Sequence, residues 1–185
     1  MSSTKAAIKA SFVKLLQTHP LKDLTVKEIV QDCGVNRNSF YYHFKDLPAL
    51  GQEVITDRFQ EILAGQGPEP SLPALLDAVA REAQDHRQCL LHLSQSAHWG
   101  VFSAHLLGLC REIVETCAQA AFPSARLRPE DREVLLRFYQ CACYGQIIAW
   151  LSEGARGDLR GQLRRLCQLG AGMPETMLRR AQEGL

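Results

Sequence analysis

No lysine occurs beyond residue 45, no apolar run reaches the ~18 residues needed to cross a bilayer, and no segment alternates apolar with polar residues as a half-buried strand does. A membrane span and a β-fold are therefore not expected. The opening "MSSTKAAIKASF" lacks the apolar segment and small-residue cleavage site of a secretory signal, so a cytoplasmic protein is expected. The seven cysteines, at 33, 89, 110, 117, 141, 143 and 167, show neither the paired spacing of a zinc site nor the density of a disulfide scaffold, and free buried thiols are the expectation. Cys141 and Cys143 point to nearly opposite faces of a helix, which excludes a disulfide within it. His98, His105 and Glu112 share a helix face at heptad spacing, but seven residues separate side chains by ~10 Å, too far for one ion. No metal, no cofactor and no enzyme are expected, since no Ser-His-Asp, G-x-G-x-x-G or Walker arrangement is present.

What is present is a chain of 185 residues, 46% hydrophobic and 22% charged, enough for one sizeable core or two smaller ones. Its net charge of +1 conceals an asymmetry. Residues 1 to 45 hold seven Lys or Arg against three acids, while residues 46 to 185 hold fourteen against seventeen. A basic N-terminal quarter on a mildly acidic body suggests a small anion-binding module carried by a larger unit, and nucleic acid is the obvious anion.

Helical periodicity runs through the chain. Ala7, Ile8, Phe12, Leu15 and Leu16 mark an amphipathic helix over ~4 to 18, stopped by Pro20. Thr25 and Glu28 stand in the capping-box relation at the start of a second helix, whose buried stripe is Val26, Ile29, Val30 and Cys33. Gly34 supplies a left-handed turn, and Asn36 caps a third, short helix. Asp46 caps a longer fourth helix running to Gly65. After the linker "GQGPEPSLP" come a helix from Ser71 to about Arg87, a shorter one over Leu90 to Ala97, a long one up to Pro123, another from Pro129 to Gly154, and a last one from Asp158 to Leu169. The fold expected is all-α, with nine or ten helices: an N-terminal three-helix module over residues 1–46 and a helical bundle over 47–185.

The sharpest pattern is "TVKEIVQDCGVNRNSFYYHFKD", helix, tight turn, helix. In a helix-turn-helix the second short helix enters the DNA major groove, so one face must anchor and the other must be polar. Val35, Phe40 and Phe44 anchor it here. Asn36, Arg37, Asn38, Ser39, Tyr41, Tyr42, His43 and Lys45 project outward. Arg37 suits guanine and Asn38 suits adenine, whereas the tyrosine hydroxyls, His43, Lys45 and the amide end of the Thr25 helix suit phosphate oxygens. A solvated polar face on a small helical hairpin is the plainer alternative.

The stretch "LTVKEIVQDCGVNRNSFYYHFKDLPAL" resembles the DNA-binding domain of the TetR family of transcriptional regulators, over roughly residues 5 to 50 with order and spacing intact. The resemblance implies Thr25 and Lys27 as backbone or base contacts from the second helix. It implies Arg37, Asn38 and Ser39 as base readers, with Tyr41, Tyr42 and His43 mainly on phosphates. Where the family often places Lys or Arg at the start of the fourth helix this chain has Leu47, and Lys45 is the residue that would compensate. The expected partner is a palindromic double-stranded operator, bound by a homodimer that responds to a small-molecule effector and acts as a repressor. The alternatives are an activator working through a protein coactivator, or a helical interaction module without selective DNA binding.

The helix over Glu130 to Glu153 is apolar on two faces, Val134, Phe138, Ala142, Gly145 and Ala149 on one and Leu136, Cys143, Ile147 and Trp150 on another. Burial on both sides points to a second copy of the chain, unless the helix is central in its own bundle. "FYQCACYGQIIAWLSEG" also resembles the penultimate helix of one TetR subgroup, which with the next helix forms a dimer interface. Phe138, Ala142, Gly145, Ala149, Leu163 and Leu166 are the expected seam. Trp99, Phe102, His105, Tyr139 and Trp150 are the candidates for lining an effector cavity.

Overall fold

The computed structural model describes residues 3–183, and among them the chain forms ten α-helices and no strand. In chain order these are α1 (Ser3–Leu16), α2 (Val26–Asp32), α3 (Arg37–His43), α4 (Leu47–Ala64), α5 (Leu72–Asp85), α6 (Arg87–Ser94), α7 (Trp99–Ala121), α8 (Pro129–Ser152), α9 (Leu159–Leu169) and α10 (Met173–Glu183). A 3-10 turn, Leu21–Asp23, follows Pro20. The fold is all-α, as the periodicity led us to expect. Two details differ. The short helix expected over Leu90 to Ala97 runs instead from Arg87 to Ser94, because His86 leaves helical geometry and restarts the chain there. The helix α10 is not among the helices expected from the sequence, and none of its residues is buried.

The chain packs as two compact units, residues 1–60 with 85–105, and residues 61–84 with 106–185. The boundary at residue 46 expected from the sequence falls inside the first of these units.

In the first unit a continuous core is built from Ile8, Phe12 and Leu16 of α1, Ile29 and Val30 of α2, Phe40 of α3, Leu50 of α4, Cys89 and Leu93 of α6 and Phe102 of α7. Contact between α4 and α7 is close because position 51 has no side chain: a Cβ on Gly51 would sit 2.8 Å from the Phe102 ring. Polar ties reinforce the apolar ones. Lys9 is buried, and its Nζ donates to Asp57 at 2.5 Å and pairs with Glu53 at 2.6 Å, with Lys5 joining Glu53. Burial works to lower the Lys9 pKa, but the hydrogen bonds and charges of Asp57 and Glu53 outweigh it and raise the value. Ser11 donates to the Ile29 carbonyl, and buried His92 hydrogen-bonds the Leu16 carbonyl at 2.7 Å, occupying an acceptor at the open end of α1.

In the second unit the inner face of α8, Leu136, Cys143, Ile147 and Trp150, is buried, as are Leu159 and Leu163 of α9. Trp150 Nε1 donates to the Gly157 carbonyl at 2.9 Å and so closes the turn into α9. Backbone at Gly154 and Ala155 is left-handed there, with φ 75° and 55°. Arg111 of α7 forms a fork on Glu133 of α8, at 3.0 and 2.6 Å. Asp77 of α5 accepts both nitrogens of Arg160 of α9, at 2.6 and 2.7 Å, and one from Arg164 at 3.1 Å.

All seven cysteines are free. Burial pushes the thiols of Cys110 and Cys143 up to about 12 and that of Cys117 up to about 11, so these groups stay protonated and inert at neutral pH. Cys141, in contrast, is exposed.

The Arg160 hydrogen bond, helped by Arg164, lowers the Asp77 carboxyl from its ordinary 3.8 to about 2. A lowered acid stabilises the fold above its unfolded value and loses that contribution as pH falls through its folded value. Wild-type protein should therefore melt higher than Asp77→Asn above pH 3.8, with the difference fading between 3.8 and about 2. Thermal melts of the two proteins from roughly pH 1.5 to 6, which brackets this window, check it.

Candidate nucleic-acid interface

The recognition element is assembled by local chemistry. Thr25 opens α2 with a complete capping box: its hydroxyl accepts from the Glu28 amide while its own amide and hydroxyl donate to the Glu28 carboxylate, both at 2.8 Å. Gly34 takes φ 68°, a left-handed conformation that a side chain would strain, and reverses the chain. Asn36 then caps α3, its Oδ1 accepting from the Ser39 amide at 2.8 Å and from the Ser39 hydroxyl at 3.1 Å. Phe40 is 0% exposed and Phe44 is buried, so one face of α3 is pinned to the core.

The opposite face is free. Arg37, Asn38, Tyr41, Tyr42 and Lys45 are exposed, while Ser39 and His43 are half-buried. Tyr42 stands out at 85% exposure, its ring edge-on to His43 at a centroid distance of 4.9 Å. Arg37 donates to the Tyr41 hydroxyl at 3.3 Å, and its guanidinium carbon lies 5.6 Å from the Tyr41 ring centroid. On α2, Thr25 and Lys27 are exposed. The ten residues expected at a DNA surface thus all lie between the cap of α2 at Thr25 and Lys45 just beyond α3, but they are not equivalent. The side chains of Thr25, Asn36 and Ser39 are engaged in caps, and their first work is to hold helix ends.

Charge is likewise divided. Lys5, Lys9 and Lys14 pair with Glu53, Asp57 and Asp32, so half of the six lysines serve the fold. Among the described residues Lys22, Lys27, Arg37 and Lys45 have no ion pair. Lys22 was not among the expected contacts; its signal was a lysine just before the helix-turn-helix with no acid within helical reach. Leu47 at the start of α4 is half-buried and packs against the core, which explains an apolar residue there.

The candidates for an effector cavity divide between the two units. Trp99 packs on the core of the first unit, and His105 hydrogen-bonds Thr56 at 2.8 Å. Tyr139, in the second unit, points its hydroxyl at the Met177 sulfur at 3.8 Å. Two expectations are corrected. Phe102 is a fully buried core ring against Gly51, and Trp150 is buried with its one donor already spent on Gly157, so neither lines an open cavity. The expected seam needs one correction as well: Leu163 is 2% exposed within its own chain and has no face left for a partner. Phe138, Gly145, Ala149 and Leu166 are exposed and Ala142 is half-buried.

Residues 10–50 match the model of the family "Bacterial regulatory proteins, tetR family". The HTH-type transcriptional regulator YxbF of Bacillus subtilis (strain 168) is 24% identical over 164 residues, 83% of this chain and 41% of that protein. The chain spans about two fifths of the length of the curated relatives it matches. Among solved structures, the dihydroxyacetone kinase operon activator DhaS superposes with a TM-score of 0.75 at 14% identity, covering 98% of both chains. NalD, the secondary repressor of the MexAB-OprM multidrug efflux pump in Pseudomonas aeruginosa, does so with 0.54 at 21% identity, covering 95% of this chain and 94% of its own. These likenesses share the fold.

The cap and the free face separate by stability. Asn36→Ala removes the acceptor that holds two Ser39 donors and should cost about 1 kcal/mol. Arg37→Ala, at an exposed site, should stay within about 0.5 kcal/mol of wild type. Urea denaturation of the three proteins reads both.

Proposed function

We propose that this chain is a member of the TetR family of transcriptional regulators, whose model residues 10–50 match, and that it binds a palindromic operator as a homodimer and represses transcription until a small-molecule effector releases it. The single observation that carries the reading is the two-sidedness of α3. A seven-residue helix buries Phe40 completely and leaves Arg37, Asn38, Tyr41 and Tyr42 exposed beside unpaired Lys27 and Lys45. A solvated face would be polar too, but this one gathers cations, hydroxyls and an amide with no acid among them, which suits an anionic partner. Phosphate oxygens take the cations and hydroxyls, and base edges take the guanidinium and amide.

Homodimerisation is supported by the distribution of exposed apolar surface. Among the described residues, five of the eight large hydrophobics that are exposed lie from Val134 to Met173: Val134 at 67%, Phe138, Leu166, Leu169 at 69% and Met173. The outer face of α8 continues with exposed Cys141, Gly145 and Ala149, small residues that admit a close helix neighbour. A second copy supplies the matching surface under a two-fold axis, and the same axis makes the operator palindromic. An effector would act through α4 and α7, the long helices that each place several residues in both packing units. The second reading is an activator, since the same fold serves the operon activator DhaS as well as the repressor NalD.

On its preferred duplex, Arg37→Ala should lose about 1–3 kcal/mol and relax selectivity at one or two base positions. Lys45→Ala should weaken selected and scrambled duplexes alike and flatten the dependence of log K on log salt by ~1. Titrations at several salt concentrations check both, and equal losses on the two duplexes for Arg37→Ala remove it from the base-reading set.

Gly145→Arg separates the seam from the fold. A Cβ at Gly145 meets nothing within 4 Å, so arginine is tolerated by the single chain and even favours the helix by about 1 kcal/mol. Sedimentation should show a wild-type dimer and a folded monomeric variant. A wild type that is monomeric at roughly micromolar concentration, where a packed seam holds together, contradicts the dimer.

A further inference from the structure

We propose that Tyr41 is a positioning residue, which holds the Arg37 guanidinium in the pose from which it reads a base and does not itself grip a phosphate. The inference rests on the DNA-binding reading above and names how its principal base reader is oriented.

Arg37 is the first residue of α3, the end of a helix where a positive charge is disfavoured. Its position gains the helix nothing. Position 41 is one turn further on, on the same face. There the Tyr41 ring takes the guanidinium at 5.6 Å from its centroid, within cation–π range, and the hydroxyl accepts from Nη2 at 3.3 Å. The arginine side chain is drawn along the helix toward its negative end.

The platform is itself fixed. The Tyr41 ring stands edge-on to Phe40 at 5.4 Å with an interplanar angle of 82°, and Phe40 is locked in the core. Order therefore passes from the core through Phe40 and Tyr41 to Arg37. An arginine left free carries rotamer entropy that binding would have to remove, and a pre-set fork loses less. Tyr42 makes the contrast: it holds no cation, and it is the tyrosine set to reach a phosphate.

A double-mutant cycle tests the assignment. Wild type, Arg37→Ala, Tyr41→Ala, the double variant and Tyr41→Phe are titrated on the preferred duplex and on a scrambled one. Tyr41→Ala should lose about two- to fivefold on the preferred duplex, leave the scrambled duplex unchanged, and relax the same base position as Arg37→Ala. With Arg37 absent it should cost nothing further. Tyr41→Phe, which keeps the ring face, should retain most of the selectivity. The assignment is overturned if Tyr41→Ala loses the same factor on both duplexes whether or not Arg37 is present. It is equally overturned if Tyr41→Phe, lacking only the hydroxyl that would grip a phosphate, falls as far as the alanine variant on both. A wild type without preference for any duplex overturns the DNA-binding reading itself, and this one with it.

Discussion

A helix of seven residues does not hold itself together in water, and α3 exists because Phe40 is buried. That one insertion fixes which residues face inward and, by the helical period, which face out. It also explains the density of capping around it. With so little helix to share the cost of its ends, Thr25, Gly34 and Asn36 each satisfy or reverse a terminus locally. The chemistry available to a partner is what remains after the fold has taken its share, and the fold takes Thr25, Asn36 and Ser39 for caps before any ligand arrives.

The same priority governs charge. A sum over the sequence makes the N-terminal quarter basic, but the three lysines of α1 are neutralised by Glu53, Asp57 and Asp32. The buried one, Lys9, binds α1 to α4 at the point where Gly51 lets α4 approach α7. An isolated buried ammonium would be expensive, and two carboxylates make it a tie. The charge left for nucleic acid belongs to fewer residues than the composition suggests, and they lie in or beside the helix-turn-helix.

Much of this was legible in the sequence, because caps and turns are local. Thr25 with Glu28, Gly34 and Asn36 announce their roles within four residues of themselves, and the structure carries each out. The two faces of α8 were legible too, with Cys143 and Trp150 buried and Val134 and Phe138 exposed. What was not legible is long-range. Nothing near Phe102 in sequence says that Gly51 lies against it, so an aromatic at helical spacing looked available for a ligand. Leu163 and Leu166, three residues apart on α9, look alike in the sequence, yet one is core and the other surface. The helix α10 is amphipathic yet buries no residue, and it was not among the helices expected.

The central claim is that two copies of this chain present α3 to DNA as a symmetric pair of readers. It is tested most directly by exposing the purified protein to a pool of random duplexes and sequencing what it retains. A palindromic consensus is expected, with half-sites centred about one helical turn apart, ~34–36 Å, or a multiple of it. A pool that shows no enrichment, or an enriched site without two-fold symmetry, would contradict it.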